Sequence, residues 1–217
     1  MKYITYYEES TEITNQKYME FINRRYNGDG KIEGQGVRND FKVRRMRFFN
    51  PAESILFQES KQPKYSMTVR NTNDKCVYLE KKTVQNELIY KASTKITREQ
   101  CNQIIGNDIA WMENHKDEVV KDFYRQLRFN GMKPGYVTEY VREVFGLNKK
   151  DYVIFDKKIA KAAGNCKDFF AEDMIMIQCL GTGKIKCTSH HTAKMPEVTQ
   201  KFIEQQECNA SAMLAIL

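Results

Sequence analysis

An α+β domain dominated by antiparallel strands is predicted by two periodicities in the chain. Lys64-Tyr65-Ser66-Met67-Thr68-Val69-Arg70 and Leu79-Glu80-Lys81-Lys82 alternate with a period of two, the pattern of strands with two chemically different faces. The runs opened by Thr97 and Asp117 instead repeat apolar residues at helical spacing. The bland reading of the alternating runs is a pair of solvated antiparallel strands. The pattern also aims Glu80 and Lys82, an acid and a base, at one face.

Taken in order, a strand near the N-terminus leads to a first helix that starts at the cap residues Thr14-Asn15. It carries Tyr18, Phe21 and Ile22 on one face and closes on Arg24-Arg25. Asn27-Gly28-Asp29-Gly30, with Gly34 and Gly36, reads as a loop or wide hairpin. Phe41 to Phe49 reads as a basic strand that places Arg45 and Arg47 on one side and Lys42 and Arg44 on the other. Thr97-Arg98-Glu99-Gln100 has the form of a capping box for a short helix to about Ile105. A second helix begins near Asp117, with Val119, Val120, Phe123, Tyr124 and Leu127 as its apolar stripe. Lys133-Pro134-Gly135 breaks the helical pattern, and strands over Val137 to Phe145 and Tyr152 to Ile159 follow. Met174 to Cys179 is a further strand, which Gly181-Thr182-Gly183 turns back into Lys184 to Thr188. A last helix follows Pro196, carrying Val198, Phe202 and Ile203.

Composition bounds the function without choosing it. A chain of 217 residues is long enough for one domain with a real core, and 1–217 is read as a single domain. Its net charge of +7 suits an acidic ligand: polyphosphate, a nucleotide, nucleic acid or an anionic membrane surface. No run approaches the roughly 18 apolar residues of a membrane span, and Met1-Lys2-Tyr3-Ile4-Thr5 lacks the apolar core of a signal peptide. Cytoplasm is the default expectation, and a membrane link would have to come from a membrane-protein partner. The six cysteines show no C-x-x-C pair or zinc-finger spacing, so free thiols are expected. His190-His191 reads as an exposed loop pair, Gly181-Thr182-Gly183-Lys184 as a hairpin turn without phosphate-loop spacing, and Trp111 as core or a helix end. No RNA-recognition, zinc-finger or helix-turn-helix signature supports nucleic acid as the partner.

The order of these segments carries more than any one of them. The N-terminal strand and helix, Phe48-Phe49-Asn50, Lys64-Tyr65, Leu79-Glu80-Lys81-Lys82, Tyr90-Lys91, Ile96-Thr97, Lys133 to Glu143 and Ile154-Phe155-Asp156 together resemble the VTC domain. That domain is the polyphosphate-polymerase branch of the triphosphate tunnel (CYTH-like) superfamily. The resemblance implies a closed or nearly closed antiparallel β-tunnel of about eight strands, with helices packed outside. It implies transfer of the terminal phosphoryl group of ATP to polyphosphate, with inward bases gripping phosphates and carboxylates holding Mn²⁺ or Mg²⁺.

Carried over residue by residue, it assigns catalysis to Lys82, Lys91 and Arg142, metal binding to Glu8, Glu80 and Asp156, and phosphate binding to Lys64, Lys82, Lys91, Tyr140 and Arg142, to which Arg45, Arg47 and Arg70 are added as further phosphate-binding bases. The pattern is broken where bases or acids are expected. Ser10, Ser66, Thr68, Gln178 and Ala212 stand for lysine or arginine, Tyr152 and Ile154 for arginine and threonine, and Met176 for a glutamate. Arg45, Arg47, Arg70, Lys184 and Lys186 are the bases that would compensate. The expectation is a tunnel that binds polyphosphate, triphosphate or a nucleotide and is catalytically degenerate. An active metal-dependent polymerase or triphosphatase is the alternative, and a protein- or nucleic-acid-interaction domain the next.

Overall fold

The computed structural model describes residues 2–27, 31–32, 39–51, 62–71, 77–146, 151–163, 166–169 and 175–181. Their elements run β1 (Lys2–Ile13), α1 (Asn15–Arg25), β2 (Tyr26–Asn27), β3 (Lys31–Ile32), β4 (Asn39–Phe49), β5 (Lys64–Arg70), β6 (Val77–Gln85) and β7 (Leu88–Ile96). Then come α2 (Arg98–Ile105), a 3-10 turn (Ala110–Met112), α3 (Glu118–Phe129), β8 (Lys133–Gly146), β9 (Tyr152–Ala163), β10 (Cys166–Phe169) and β11 (Ile175–Gly181). Among the described residues nine strands form one sheet in the order β10-β9-β11-β1-β7-β6-β5-β4-β8, and β8 also pairs with β9. That last pairing closes eight antiparallel strands into a barrel, with β10 appended to the far part of β9. The expected tunnel is therefore present, with three helices packed outside it. Gly28, Gly30, Gly34, Gly36, Lys184, Lys186, His190-His191, the helix after Pro196 and Ala212 lie outside the described residues.

Local chemistry explains the boundaries. The Thr97 hydroxyl accepts from the Gln100 amide at 3.1 Å while the Gln100 side chain accepts from the Thr97 amide at 2.8 Å, the reciprocal bond that starts α2. Asp117 caps α3 by accepting from the Val119 amide at 2.9 Å. The β6–β7 hairpin turns on Asn86 and Glu87, both at positive φ (51° and 67°), as a two-residue turn matched to strand twist requires.

One boundary differs from expectation. Pro134 opens β8 rather than preceding it, paired with Phe48 where the β4–β8 register shifts. Proline is admissible there because the first residue of a strand and a bulge need no ladder donor. Gly135 completes the crossing, since a Cβ on it would lie 2.9 Å from the Arg47 carbonyl oxygen.

The apolar core lies outside the barrel wall, in two blocks. Outward residues of β4–β8, including Met46, Tyr65, Met67, Leu79 and Val137, pack against Cys101, Ile104 and Ile105 of α2 and Val119, Val120 and Phe123 of α3. The Phe123 ring stacks on Tyr65 at 4.9 Å and meets the edge of Phe48 at 4.7 Å. Trp111, on the 3-10 turn, is partly buried against the same block. A smaller block packs Tyr18, Phe21 and Ile22 of α1 on Phe145, Val153, Phe155, Ile175 and Ile177. Within it, Tyr18 donates to Glu143 at 2.7 Å, and Lys157 donates to both Tyr18 and Glu143, forming a polar seam that fastens α1 to the wall. Cys101 is a free thiol, but Cys179 is disulfide-bonded, which corrects the expectation of free thiols throughout.

Candidate functional site

Because side chains alternate and directly opposed residues share a face, the strand register fixes what lines the tunnel. One rung around the wall reads Lys64, Lys82, Lys91 and Ile4, and the next Arg47, Ser66, Glu80, Ser93 and Lys2. A third reads Lys161, Thr138, Arg45, Thr68, Tyr78 and Lys95, and a shorter one Tyr140, Val43 and Arg70. On the other wall the rungs are Glu12, Met176, Asp156, Arg142 and Phe41, then Ser10, Gln178, Ile154 and Val144, then Glu8, Leu180, Tyr152 and Gly146. Every residue named by the sequence as catalytic, phosphate-binding or metal-binding stands on this inner face. Arg47, Lys64 and Arg70 are exposed, and Glu80, Tyr140 and Asp156 are buried.

The interior is organised by acid–base contacts. Glu80 is 4% exposed and meets Lys91 at 2.8 Å, Arg45 at 3.7 Å and Arg70 at 4.0 Å, and accepts from the Thr68 hydroxyl at 3.4 Å. Burial alone would raise its carboxyl, but Lys91 and Arg45 hold it below the ordinary carboxylate value. Lys91 is lowered, because burial and the like charges of Arg45 and Arg142 outweigh the pull of Glu80. Arg142 donates two bonds of 2.6 Å to Asp156, which also accepts from Gln178 at 3.3 Å. That bidentate pair keeps the guanidinium charged against the cost of burial. Lys82 reaches Glu8 at 2.7 Å. Burial, then Glu8 and Glu80, push the Tyr6 hydroxyl well above its usual value, which locates this ring among the central charges.

Aromatic faces support the bases. The Tyr140 ring carries the Arg142 guanidinium at 5.2 Å and that of Arg45 at 5.7 Å, and the buried Tyr140 hydroxyl has no hydrogen-bond partner among the described residues. Arg70 lies 5.2 Å from the Tyr78 ring centroid and Lys95 5.7 Å from it. Tyr6, Lys95 and Lys161 were not singled out in the sequence. Alternation within β1 and β7 would have found the first two, whereas Lys161 depends on an irregularity of β9. Glu139, beside Tyr140 in β8, points outward and binds Arg44 at 2.6 Å.

A divalent metal fits these residues poorly. Glu8, Glu80 and Asp156 sit on three different rungs, each held by its own base, and Met176 stands opposite Asp156 where another carboxylate is expected. Among the described residues no three His, Cys, Asp or Glu side chains group closely enough to hold a metal ion.

Comparison with known proteins follows this geometry. The chain is similar in structure to the adenylyl cyclase-like protein HpAC1 of Hippeastrum, described as having a dominant triphosphatase activity. The identity is 11%, the coverage 92% of this chain and 84% of that one, and the TM-score 0.49. PH1819 of Pyrococcus horikoshii OT3 aligns at 13% identity over 90% of this chain and 86% of that one, with a TM-score of 0.40. No curated protein matches the sequence. The VTC domain profile matches residues 29–212, most of the chain and most of the barrel described above, and so the chain belongs to the VTC domain family.

Proposed function

We propose that the tunnel binds a polyphosphate, a triphosphate or the phosphate chain of a nucleotide, and that it is a binding site rather than an efficient phosphoryl-transfer centre. The observation that carries the binding half is the nook of Arg45, Tyr140 and Arg142. Two guanidinium groups lie over the ring whose buried hydroxyl lacks a hydrogen-bond partner among the described residues. A phosphoryl oxygen supplies that partner and the negative charge together. Arg45, Arg47, Lys64, Arg70, Lys82, Lys91 and Arg142 provide the surrounding bases, and Tyr140 the neutral donor.

The loss of transfer chemistry is supported by the neutral residues Ser10, Tyr152, Ile154, Met176 and Gln178, and by three carboxylates each occupied by a base. Phosphoryl transfer depends on positioning and on neutralising charge at the reacting group, and metal ions supply much of the latter. Binding needs only the bases.

Thermal unfolding with tripolyphosphate, at two salt concentrations, tests the first half. A ligand at 100 times its dissociation constant adds about 2.7 kcal/mol, and high salt should shrink the gain. Incubation with ATP and Mn²⁺ tests the second. ADP or polymer production, abolished by Glu80→Ala, would establish an active polymerase or triphosphatase working through Lys82, Lys91 and Arg142.

A further inference from the structure

β9 changes face once along its length, and the change delivers a lysine to the tunnel. Asp156 lines the interior opposite Met176 and Arg142, while Val153 and Phe155 pack outward beneath α1. A strict period of two from Asp156 would send Lys161 outward with Phe155 and Lys157. The register does not keep that period. Val141 faces Lys157 but Glu139 faces Ala160, so β9 spends one residue more than β8, and Lys158 adopts a φ of 53°. This is a β-bulge, which re-aims the side chains beyond it.

Past the bulge Lys161 stands opposite Thr138, which is opposite Arg45, which is opposite Thr68. Its ammonium lies 5.7 Å from the ring centroid of Tyr136, a residue that shares the inward face of β8 with Tyr140 and Arg142. Register and side-chain contact thus agree on its direction by separate routes. Lys161 is only 6% exposed, and an ammonium so withdrawn from water persists where surrounding groups or a ligand offset the desolvation.

We propose that Lys161 is a further phosphate-gripping residue of the tunnel, acting with Arg45 on the same polyanion. The assignment rests on the polyanion reading given above. It adds a base, beside Arg45 and Lys95, to the rung on which Thr68 stands where the resemblance implies one. That base arrives from β9, three strands away round the wall, through a shift of phase. Strands about 4.8 Å apart put the backbones of Lys161 and Arg45 two spacings from each other, within reach of two long side chains closing on one phosphate chain.

The test is titration of tripolyphosphate into the wild type, Lys161→Gln and Lys161→Arg, in chelator-containing buffer at two salt concentrations. Lys161→Gln should weaken binding about tenfold to a hundredfold and make it less salt-sensitive, and Lys161→Arg should restore most of it. A second readout needs no folded Gln variant: with ¹³C-methylated lysines, the resonance missing from Lys161→Arg should shift when tripolyphosphate is added to the wild type. Unchanged affinity in a folded Lys161→Gln, or an unmoved resonance, would overturn the assignment. Lys161 would then be a structural lysine of the β9–β10 pairing, where Asp168 is opposite it. Failure of the wild type to take up tripolyphosphate would instead remove the polyanion reading itself, and this assignment with it.

Discussion

The wall built from β4, β5, β6 and β7 and the wall built from β9 and β11 face each other across one tunnel with different chemistry. The first turns Arg45, Arg47, Lys64, Arg70, Lys82 and Lys91 inward; the second turns Ile154, Met176, Gln178 and Leu180 inward, with Asp156 as its buried acid and Lys161, past the bulge, as its one base among the described residues. Their outer faces do not differ in this way. Met67 and Leu79 are buried against α2 and α3, just as Phe155 and Ile177 are buried against α1. The lesson is that outward alternation supplies the apolar packing of the barrel, so inward positions that are not tied into a buried ion pair can change charge without disturbing it.

The largest effect should come where the two walls are tied. Arg142 and Asp156 are 12% and 7% exposed, so Arg142→Ala strands a buried carboxylate and should cost about 3–5 kcal/mol in urea unfolding, along with tripolyphosphate binding. On the basic wall, Arg45→Met should weaken tripolyphosphate binding by about 1.5–3 kcal/mol, measured calorimetrically. The comparison is sharpened in reverse on the neutral wall: Tyr152, 39% exposed and facing inward, can take an arginine without deep burial, and Tyr152→Arg should raise affinity about tenfold. Equal effects from both walls would break the contrast. Tyr140→Phe should leave the free protein as stable, or more stable by up to about 1 kcal/mol, while weakening the ligand about tenfold, because the hydroxyl finds its acceptor only in the complex.

The smallest effect belongs to the α1 seam. Burial lowers Lys157, but hydrogen bonds to Glu143 and Tyr18 raise it above its ordinary value overall; burial and Glu143 raise Tyr18. A group raised in the folded state contributes stability that is intact below its unfolded value and is lost as pH rises through the folded one. Stability should therefore decline above about pH 10, where both groups lose their protons in the unfolded chain, and Tyr18→Phe should flatten that decline in denaturant titrations across alkaline pH.

Much of the site was legible because it needed only local rules. Alternation put Glu80 with Lys82 and Tyr140 with Arg142, and side-chain caps marked Thr97 and Asp117 as helix starts. What escaped depended on partners distant in the chain. The bulge at Lys158 exists only relative to β8, so alternation alone could not have placed Lys161 on the inner face. Pro134 broke a helical pattern but lies at the start of a strand, because the extra residue that β8 carries against β4 there accommodates it. The assignment of Glu8, Glu80 and Asp156 to a metal came with the resemblance, whereas their ion pairs with Lys82, Lys91 and Arg142 become visible only once the barrel is closed.

Closure itself has a consequence for the order in which the chain assembles. β5, β6 and β7 pair in sequence order and β8 pairs with β9, whereas β4 must find the distant β8, and β1 must join β7 along Lys2 to Tyr7 and β11 along Tyr7 to Ile13. Those partners emerge some 80 to 175 residues later, so β1 is among the last of these strands to dock, as the entropy of closing long loops demands. Until it does, β7 and β11 both present open hydrogen-bonding edges, the surfaces on which chains recruit one another. The N-terminal strand is thus the staple of the ring, and its arrival separates a sociable open sheet from a solitary closed one.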